Sequence, residues 1–444
     1  MVGYRRTSSP SPLFFPLDED SISLYSDMES PERVGVSIEK DHPSCVIIRR
    51  LETRSPLKTF AIPIAILIVA AAFAGCTNNV PPSTSSPAVS TPASSAPTKT
   101  PSTPAPAPLK ADLLESGSTF VLPLAQKWAA AFSASNPGVS ISANGGGSGK
   151  GKGDITANLV DIAGSDSIMD DAAIAKAGGD IIHLPVAAGA IVIAYNVPEV
   201  GSTPLKFNAD TIANIFLGKI TKWNDPALAA LNPGVSLPNE DMAVVHRSDG
   251  SGTTDTFTDY LSKANAEWKS TVGKGASVTW PCEKVTPACT GASGNNGVGG
   301  QVQTIPYSIT YLGGEWADIT KVQTGVVVNA AGQAVAASAE TVGASIAAAV
   351  STGAFDDKLR GSVTNMDCPT CYPIAAVTWL LVHEHQTDKA KGEALVAFLR
   401  YVLHEGQALN DDLNYNPIPA AVVAKADAFV ASIDYNGQPL ATMG

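Results

Sequence analysis

From Leu113 onward, short apolar runs alternate with stretches whose apolar residues recur at helical spacing. The runs Val139–Ser142, Leu159–Ala163, Ile191–Tyr195, Met242–Val245, Ile309–Leu312 and Ala376–Val382 predict strands. The 3.6-residue period predicts helices over Leu122–Ser135, Ile155–Leu159, Ala172–Ala177, Thr211–Leu217, Thr254–Ala264, Val342–Val350 and Ala390–His404. Strand and helix in alternation predict an α/β fold, and no fixed-period repeat is visible.

One apolar segment lies outside this body. Phe60 to Gly75 is uncharged, follows Arg54 and Lys58, and ends in small residues before Cys76. A basic flank, a short apolar stretch and a small-residue cleavage site describe a secretory signal, assigned here to residues 54–76. Its ending, Phe73-Ala74-Gly75-Cys76, resembles a bacterial lipobox, which implies lipidation of Cys76. A plain membrane anchor is the rival reading. The polar residues Thr77-Asn78-Asn79 that follow at once favour the lipoprotein. Residues 77–109 are almost all Pro, Ser, Thr, Ala and Val, the composition of an extended disordered tether. As a coil it would span roughly 30 Å, enough to hold a folded body off a membrane surface. Residues 1–53 mix charge with Ser and Pro without a clear amphipathic period. They are read as a disordered tail or an over-extended start of translation.

Charge narrows the classes further. The net charge is −12, and the chain after residue 75 keeps 21 Lys+Arg against 32 Asp+Glu. A nucleic-acid binder needs a basic face to neutralise phosphates, so no nucleic-acid partner is expected. An acidic body is equally poor at steering small anions, so any anion site must work by local geometry. Of six cysteines, Cys45 and Cys76 precede the body. The remaining Cys282, Cys289, Cys368 and Cys371 allow three pairings in an oxidising compartment. The near pairs, Cys282 with Cys289 and Cys368 with Cys371, are the choice as structural bridges. A redox role for Cys368-Pro-Thr-Cys371 lacks the surrounding strand-then-helix pattern. His383 and His385 flank Glu384 without further ligands, so no metal is expected there, and no cofactor elsewhere.

The candidate chemistry sits in three polar, glycine-bearing turns that open helices. These are Ser116-Gly117-Ser118-Thr119-Phe120, Gly145-Gly146-Gly147-Ser148-Gly149, and Ser248-Asp249-Gly250-Ser251-Gly252-Thr253-Thr254. Each offers unpaired backbone N–H groups at a positive helix end beside a hydroxyl. Any one of them is more often just an N-cap. Three in one chain, with Arg247 supplying a planar fork of donors, point to an oxyanion site. The second turn fits the spacing of a nucleotide-binding P-loop through Gly151-Lys152. However, Gly153 stands where a Ser or Thr should hold magnesium, so that reading is set aside.

These residues carry a family resemblance. Gly117-Ser-Thr-Phe120, Gly147-Ser-Gly149, Asp161-Ile-Ala-Gly-Ser-Asp166, Leu217-Gly-Lys-Ile-Thr-Lys-Trp-Asn-Asp225 and Arg247-Ser-Asp-Gly-Ser-Gly-Thr253 occur in order. From about Leu113 to the C-terminus the chain is similar to the phosphate-binding proteins of bacterial phosphate ABC importers, the PstS family. The resemblance implies a type II periplasmic-binding-protein fold without catalysis. One lobe would combine residues 110–190 with 373–444, the other would be 191–372, and a hinged cleft would lie between them. It implies inorganic phosphate as ligand, a permease and ATPase complex as partner, and a lipid-anchored place on the outer face of the cell membrane. By position, Ser118, Thr119, Phe120, Ser148, Arg247, Ser251, Gly252 and Thr253 would donate to the anion, and Asp249 would orient Arg247. Asp166 would accept a proton from the ligand, although it also stands where a helix N-cap is expected. Lys150, Lys152 and His246 depart from the family pattern. Three alternatives stay open. One is a secreted phosphatase or phosphoryl transferase, for which no nucleophile–base pair or metal cluster is evident. The second is the same scaffold tuned to a different oxyanion. The third is a surface sensor or adhesion module with no transport role.

Overall fold

The computed structural model describes residues 36–42, 45–50 and 108–440. The signal segment, Cys76 and the tether up to residue 107 lie outside them. Among the described residues no helix is long and apolar enough to cross a membrane. The chain divides into two units, Met1–Thr98 and Lys99–Gly444. In the first, Val36–His42 pairs antiparallel with Cys45–Arg50, Ile38 opposite Ile48. Part of the segment read as a tail is therefore a hairpin. Its alternating Val36-Ser37-Ile38-Glu39 pattern is too short to stand out from the polar sequence around it.

The second unit is built on a mixed α/β sheet. Its principal strands are β1 (Ala111–Gly117), β2 (Val139–Asn144), β3 (Ile162–Ser165), β4 (Ile181–Asn196), β5 (Ala243–Arg247), β6 (Thr290–Ala292), β7 (Ser308–Gly313) and β8 (Ala375–His383). They lie in the order β2-β1-β3-β8-β4-β7-β5-β6. The strands β1, β2 and β3 are mutually parallel, as are β7, β5 and β6, whereas β8 and β7 run antiparallel to β4.

The long strand β4 joins the two groups. Every residue from Ile181 to Tyr195 is buried, as a strand covered on both faces requires. It changes partner along its length: Ile181–Ala190 pairs with β8, and Ile191–Asn196 pairs with β7. The sequence pattern predicts only the second part, because His183, Pro185 and Gly189 interrupt the first. Pro185 is accommodated opposite Trp379, where the register shifts between Thr378 and Trp379 and an irregular ladder can spare the missing N–H.

Six helices matter for the site: α1 (Leu122–Ser135), α2 (Ser148–Thr156), α3 (Gly252–Ala264), α4 (Gly294–Thr304), α5 (Gly314–Thr320) and α6 (Lys389–Leu403). In α1, Leu124, Trp128 and Phe132 fall four apart on one buried face, and Pro123 occupies the tolerant first turn. Helix α6 buries Leu395, Val396, Leu399 and Val402 in the same way. By contrast α2 begins at Ser148, seven residues ahead of the stretch read as helical. Its glycines are poor helix formers, but packing requires one of them. A Cβ on Gly151 would stand 2.8 Å from both Gly117 Cα and Ser116 O. Cys282 is bonded to Cys289 and Cys368 to Cys371, the near pairs.

Candidate functional site

Within each parallel group the strands direct their carboxyl ends to one edge, where the helices that follow begin. Because β5–β7 run opposite to β1–β3, the two groups' carboxyl ends point toward each other along β4. The first turn leaves β1, the second leaves β2, Asp166 directly follows β3, and the third turn follows β5. All nine residues read as anion contacts are buried or sit on buried backbone. Ser118, Thr119, Ser148, Asp166, Arg247, Ser251 and Thr253 are each no more than 5% exposed. Phe120 is fully buried and meets Tyr415 edge to face at 5.6 Å.

Asp166 is the hub of the first two turns. Its carboxylate accepts from Ser118 Oγ at 2.6 and 2.7 Å, Thr378 Oγ1 at 2.9 Å and Ser148 Oγ at 3.3 Å. Ser118 Oγ in turn accepts from Phe120 N at 3.0 Å, and Ser148 Oγ from Asp166 N at 3.1 Å. Asp166 is not a helix cap. That place belongs to Asp170, which accepts from Ala173 N at 2.7 Å. Burial pushes Asp166 up to about 6, with hydrogen bonds from Ser118 and Thr378 and the charge of Arg247 pulling the other way. It therefore remains mostly a carboxylate acceptor at neutral pH.

In the third turn Arg247 Nε donates to Asp249 Oδ1 at 2.7 Å, and Nη2 reaches Oδ2. Asp249 also accepts from Gly294 N at 3.0 Å. Burial raises its carboxyl, but the Arg247 bonds and charge outweigh this and hold it below the usual range. Arg247 Nη1 is left to face Thr253 Oγ1 at 3.3 Å. Ser251 caps α3, its Oγ accepting from Thr254 N at 3.0 Å, so the first N–H groups of the helix have no intrahelical partner.

The turns also meet one another. Gly149 N donates to the Gly250 carbonyl at 2.7 Å, and Trp316 Nε1 on α5 donates to the Thr119 carbonyl at 2.7 Å. One bridging side chain escaped the sequence reading. Asn295, in the first turn of α4, donates through Nδ2 to Thr119 Oγ1 at 3.1 Å and Thr253 Oγ1 at 3.2 Å. Ser293-Gly294-Asn295-Asn296-Gly297 is a fourth polar, glycine-bearing turn opening a helix, so the signal that marked the other three was present here too.

The family model for a PBP superfamily domain matches residues 90–405. The phosphate-binding protein PstS of Xylella fastidiosa strain Temecula1 is 36% identical over 317 residues, covering 71% of this chain and 84% of that protein. The one from Pasteurella multocida is 36% identical over 315 residues, covering 70% and 88%. The chain belongs to the PstS phosphate-binding protein family. Solved structures agree on the fold, a type II periplasmic-binding-protein architecture. A high-affinity periplasmic phosphate-binding protein solved with phosphate at pH 8.5 superposes with a TM-score of 0.57 at 23% identity, covering 72% of this chain and 93% of that one. A human phosphate-binding apolipoprotein gives 0.58 at 20% identity, covering 74% and 99%.

The departures from the family pattern have local partners. Lys150 pairs with Asp154 one helical turn on, and Lys152 Nζ donates to Ser167 Oγ at 2.8 Å. His246 stacks on Trp280 at 4.9 Å and bonds Glu283 at 3.0 Å. His383 bonds Asp180 at 2.8 Å, and His385 bonds Asp434 at 2.6 Å. Among the described residues no group of three or more His, Cys, Asp or Glu is placed to hold a metal.

Close approach at the seam gives a first prediction. A Cβ on Gly252 would lie 2.5 Å from Ser148 Oγ and 2.8 Å from Asp166 N. Gly252→Ala is expected to destabilise the protein by about 1–3 kcal/mol through overpacking. A urea midpoint unchanged from that of the parent protein would show that the seam has room to spare.

Proposed function

We propose that this protein is an extracytoplasmic receptor that captures inorganic phosphate and hands it to the permease and ATPase of an ABC importer, without catalysing a reaction. Its body would be tethered to the membrane by lipid on Cys76. The lobes would be 110–190 with 373–444 and 191–372, and the change of partner along β4 between Ala190 and Ile191 supports that division. Release of the anion would require the lobes to part, drawing the first two turns away from the third.

One observation carries the reading: a buried carboxylate, Asp166, bonded to Ser118 and Ser148, lies within electrostatic reach of a buried guanidinium, Arg247. A carboxylate beside an anion is unfavourable unless the ligand brings a proton. Phosphate, with its second pKa of about 6–7, carries one near neutrality, whereas sulfate does not. Asp166 would accept that proton while Thr119, Ser251, Thr253, Arg247 and the N–H groups of Phe120 and Gly252 would donate to the other oxygens. Ser118 and Ser148 would join them once their hydroxyl hydrogens turn from Asp166 to the anion.

The test is titration calorimetry on the full chain. Phosphate is expected to bind tightly, arsenate comparably because it is protonated alike, and sulfate without measurable heat. Equal heats for sulfate and phosphate would end this reading.

A further inference from the structure

Resting on the phosphate-binding reading, we infer that Asn295 is a positioning residue that turns two threonine hydroxyls into obligate donors for the anion. A hydroxyl oxygen has two lone pairs and one hydrogen, so accepting twice leaves its hydrogen as the only group to place. Thr119 Oγ1 accepts from Asn295 N at 3.0 Å and from Asn295 Nδ2 at 3.1 Å. Thr253 Oγ1 accepts from the same Nδ2 at 3.2 Å and from Arg247 Nη1 at 3.3 Å. Both hydrogens of one amide nitrogen are thereby used, one on each threonine.

The orientation of the amide follows from its other end. Asn295 Oδ1 accepts from the backbone N–H of Gly313 at 3.1 Å, which places Nδ2 toward the threonines. Asn295 is fully buried, so no water competes for these bonds. Neither threonine can turn its hydrogen toward Asn295 or Arg247, since both present only donors there. The hydrogens are left for an acceptor in the cleft. Thr119 precedes α1 and Asn295 opens α4, so the arrangement is complete only with the lobes together. Thr253 is oriented within the 191–372 lobe alone, whereas orientation of the Thr119 hydroxyl and closure become one event.

The probe is inorganic phosphate, and the measurement is its affinity for the full chain by calorimetry, with urea unfolding in the absence of phosphate as a check on folding. Asn295→Ala is expected to weaken binding by about 10- to 100-fold. In a Thr119→Val, Thr253→Val background the same substitution is expected to cost less than about threefold, because the hydroxyls it positions are gone. Asn295→Ser, whose shorter side chain cannot serve both threonines, is expected to match the alanine loss. This variant stands in if alanine impairs folding. Losses of equal size in both backgrounds would overturn the inference, as would a loss under threefold in the parent protein. Failure of the parent protein itself to bind phosphate would instead overturn the reading on which the inference rests.

Discussion

Asp166→Asn is expected to bring sulfate binding into the measurable range and to shrink the preference for phosphate over sulfate by about 10²- to 10³-fold. The carboxylate accepts from Ser118, Thr378 and Ser148 and presents no donor of its own near neutral pH. An unprotonated sulfate oxygen facing this buried carboxylate would set acceptor against acceptor, a cost of several kcal/mol. Asn at the same position supplies an amide that can donate, and it removes the charge. Phosphate loses one accepted proton in the exchange, and sulfate loses its repulsion, so the two affinities converge. Competition of labelled phosphate by sulfate reads the ratio directly. A variant that still rejects sulfate as strongly as the parent protein would assign discrimination to the donors alone.

The second large effect concerns stability. Glu115 lies on β1, three residues before Ser118, with both carboxyl oxygens buried and no hydrogen-bond partner among the described residues. A cavity of about 10 Å³ beside it is walled by Ala125, Trp128, Ile141, Ala143, Leu380 and Phe398. Burial raises its carboxyl from 4.5 to about 8. The native state therefore holds a proton that the unfolded chain releases above 4.5. Between those two values the unfolded state binds fewer protons, so stability falls as pH rises, at up to about 1.4 kcal/mol per pH unit for this one group. The contribution is fully present below 4.5 and lost on approaching 8.

Glu115→Gln removes that titration while keeping the shape of the side chain. Urea unfolding at pH 5, 6, 7 and 8 is expected to show the variant gaining on the parent protein by several kcal/mol across the series. The difference between the two profiles isolates Glu115 from every other titrating group. Parallel profiles would mean that Glu115 is ionised in the native state and finds a partner there.

Glu115 also marks a place where the local pattern fails. In Ala111-Asp-Leu-Leu-Glu-Ser-Gly117 a charged residue occupies an inward position, so the period-two signal of β1 is lost and the pattern predicts no strand there. The first half of β4 was hidden by Pro185 and Gly189. The start of α2 was hidden by glycines that local propensity counts against a helix and that contact with β1 demands. In each case packing with a distant segment overrode a local preference. The periodic helices were legible because a stripe of apolar residues records the face that meets the core. The prediction for α1, Leu122–Ser135, coincides with the helix, and that for α3 begins two residues late at its cap.

The site divides in the same manner. The three segments carrying Ser118, Ser148 and Arg247 could be picked out from the chain because helix-opening turns beside an arginine have a local residue signature, whereas Asp166 was marked only by the family resemblance. The near cysteine pairs were equally open to choice from spacing. By itself, then, the sequence determined the α/β alternation, the acidic body that makes any anion site a matter of local geometry, and the kinds of donor and acceptor present. Only the tertiary structure decided which of them meet. Asn295 reaches Thr119 across 176 positions, and Thr378 reaches Asp166 across 212. Hydrogen bonds need their partners within about 3 Å, and nothing in a linear order of residues encodes that approach until the long strand β4 has brought the carboxyl ends of two oppositely directed strand groups toward each other.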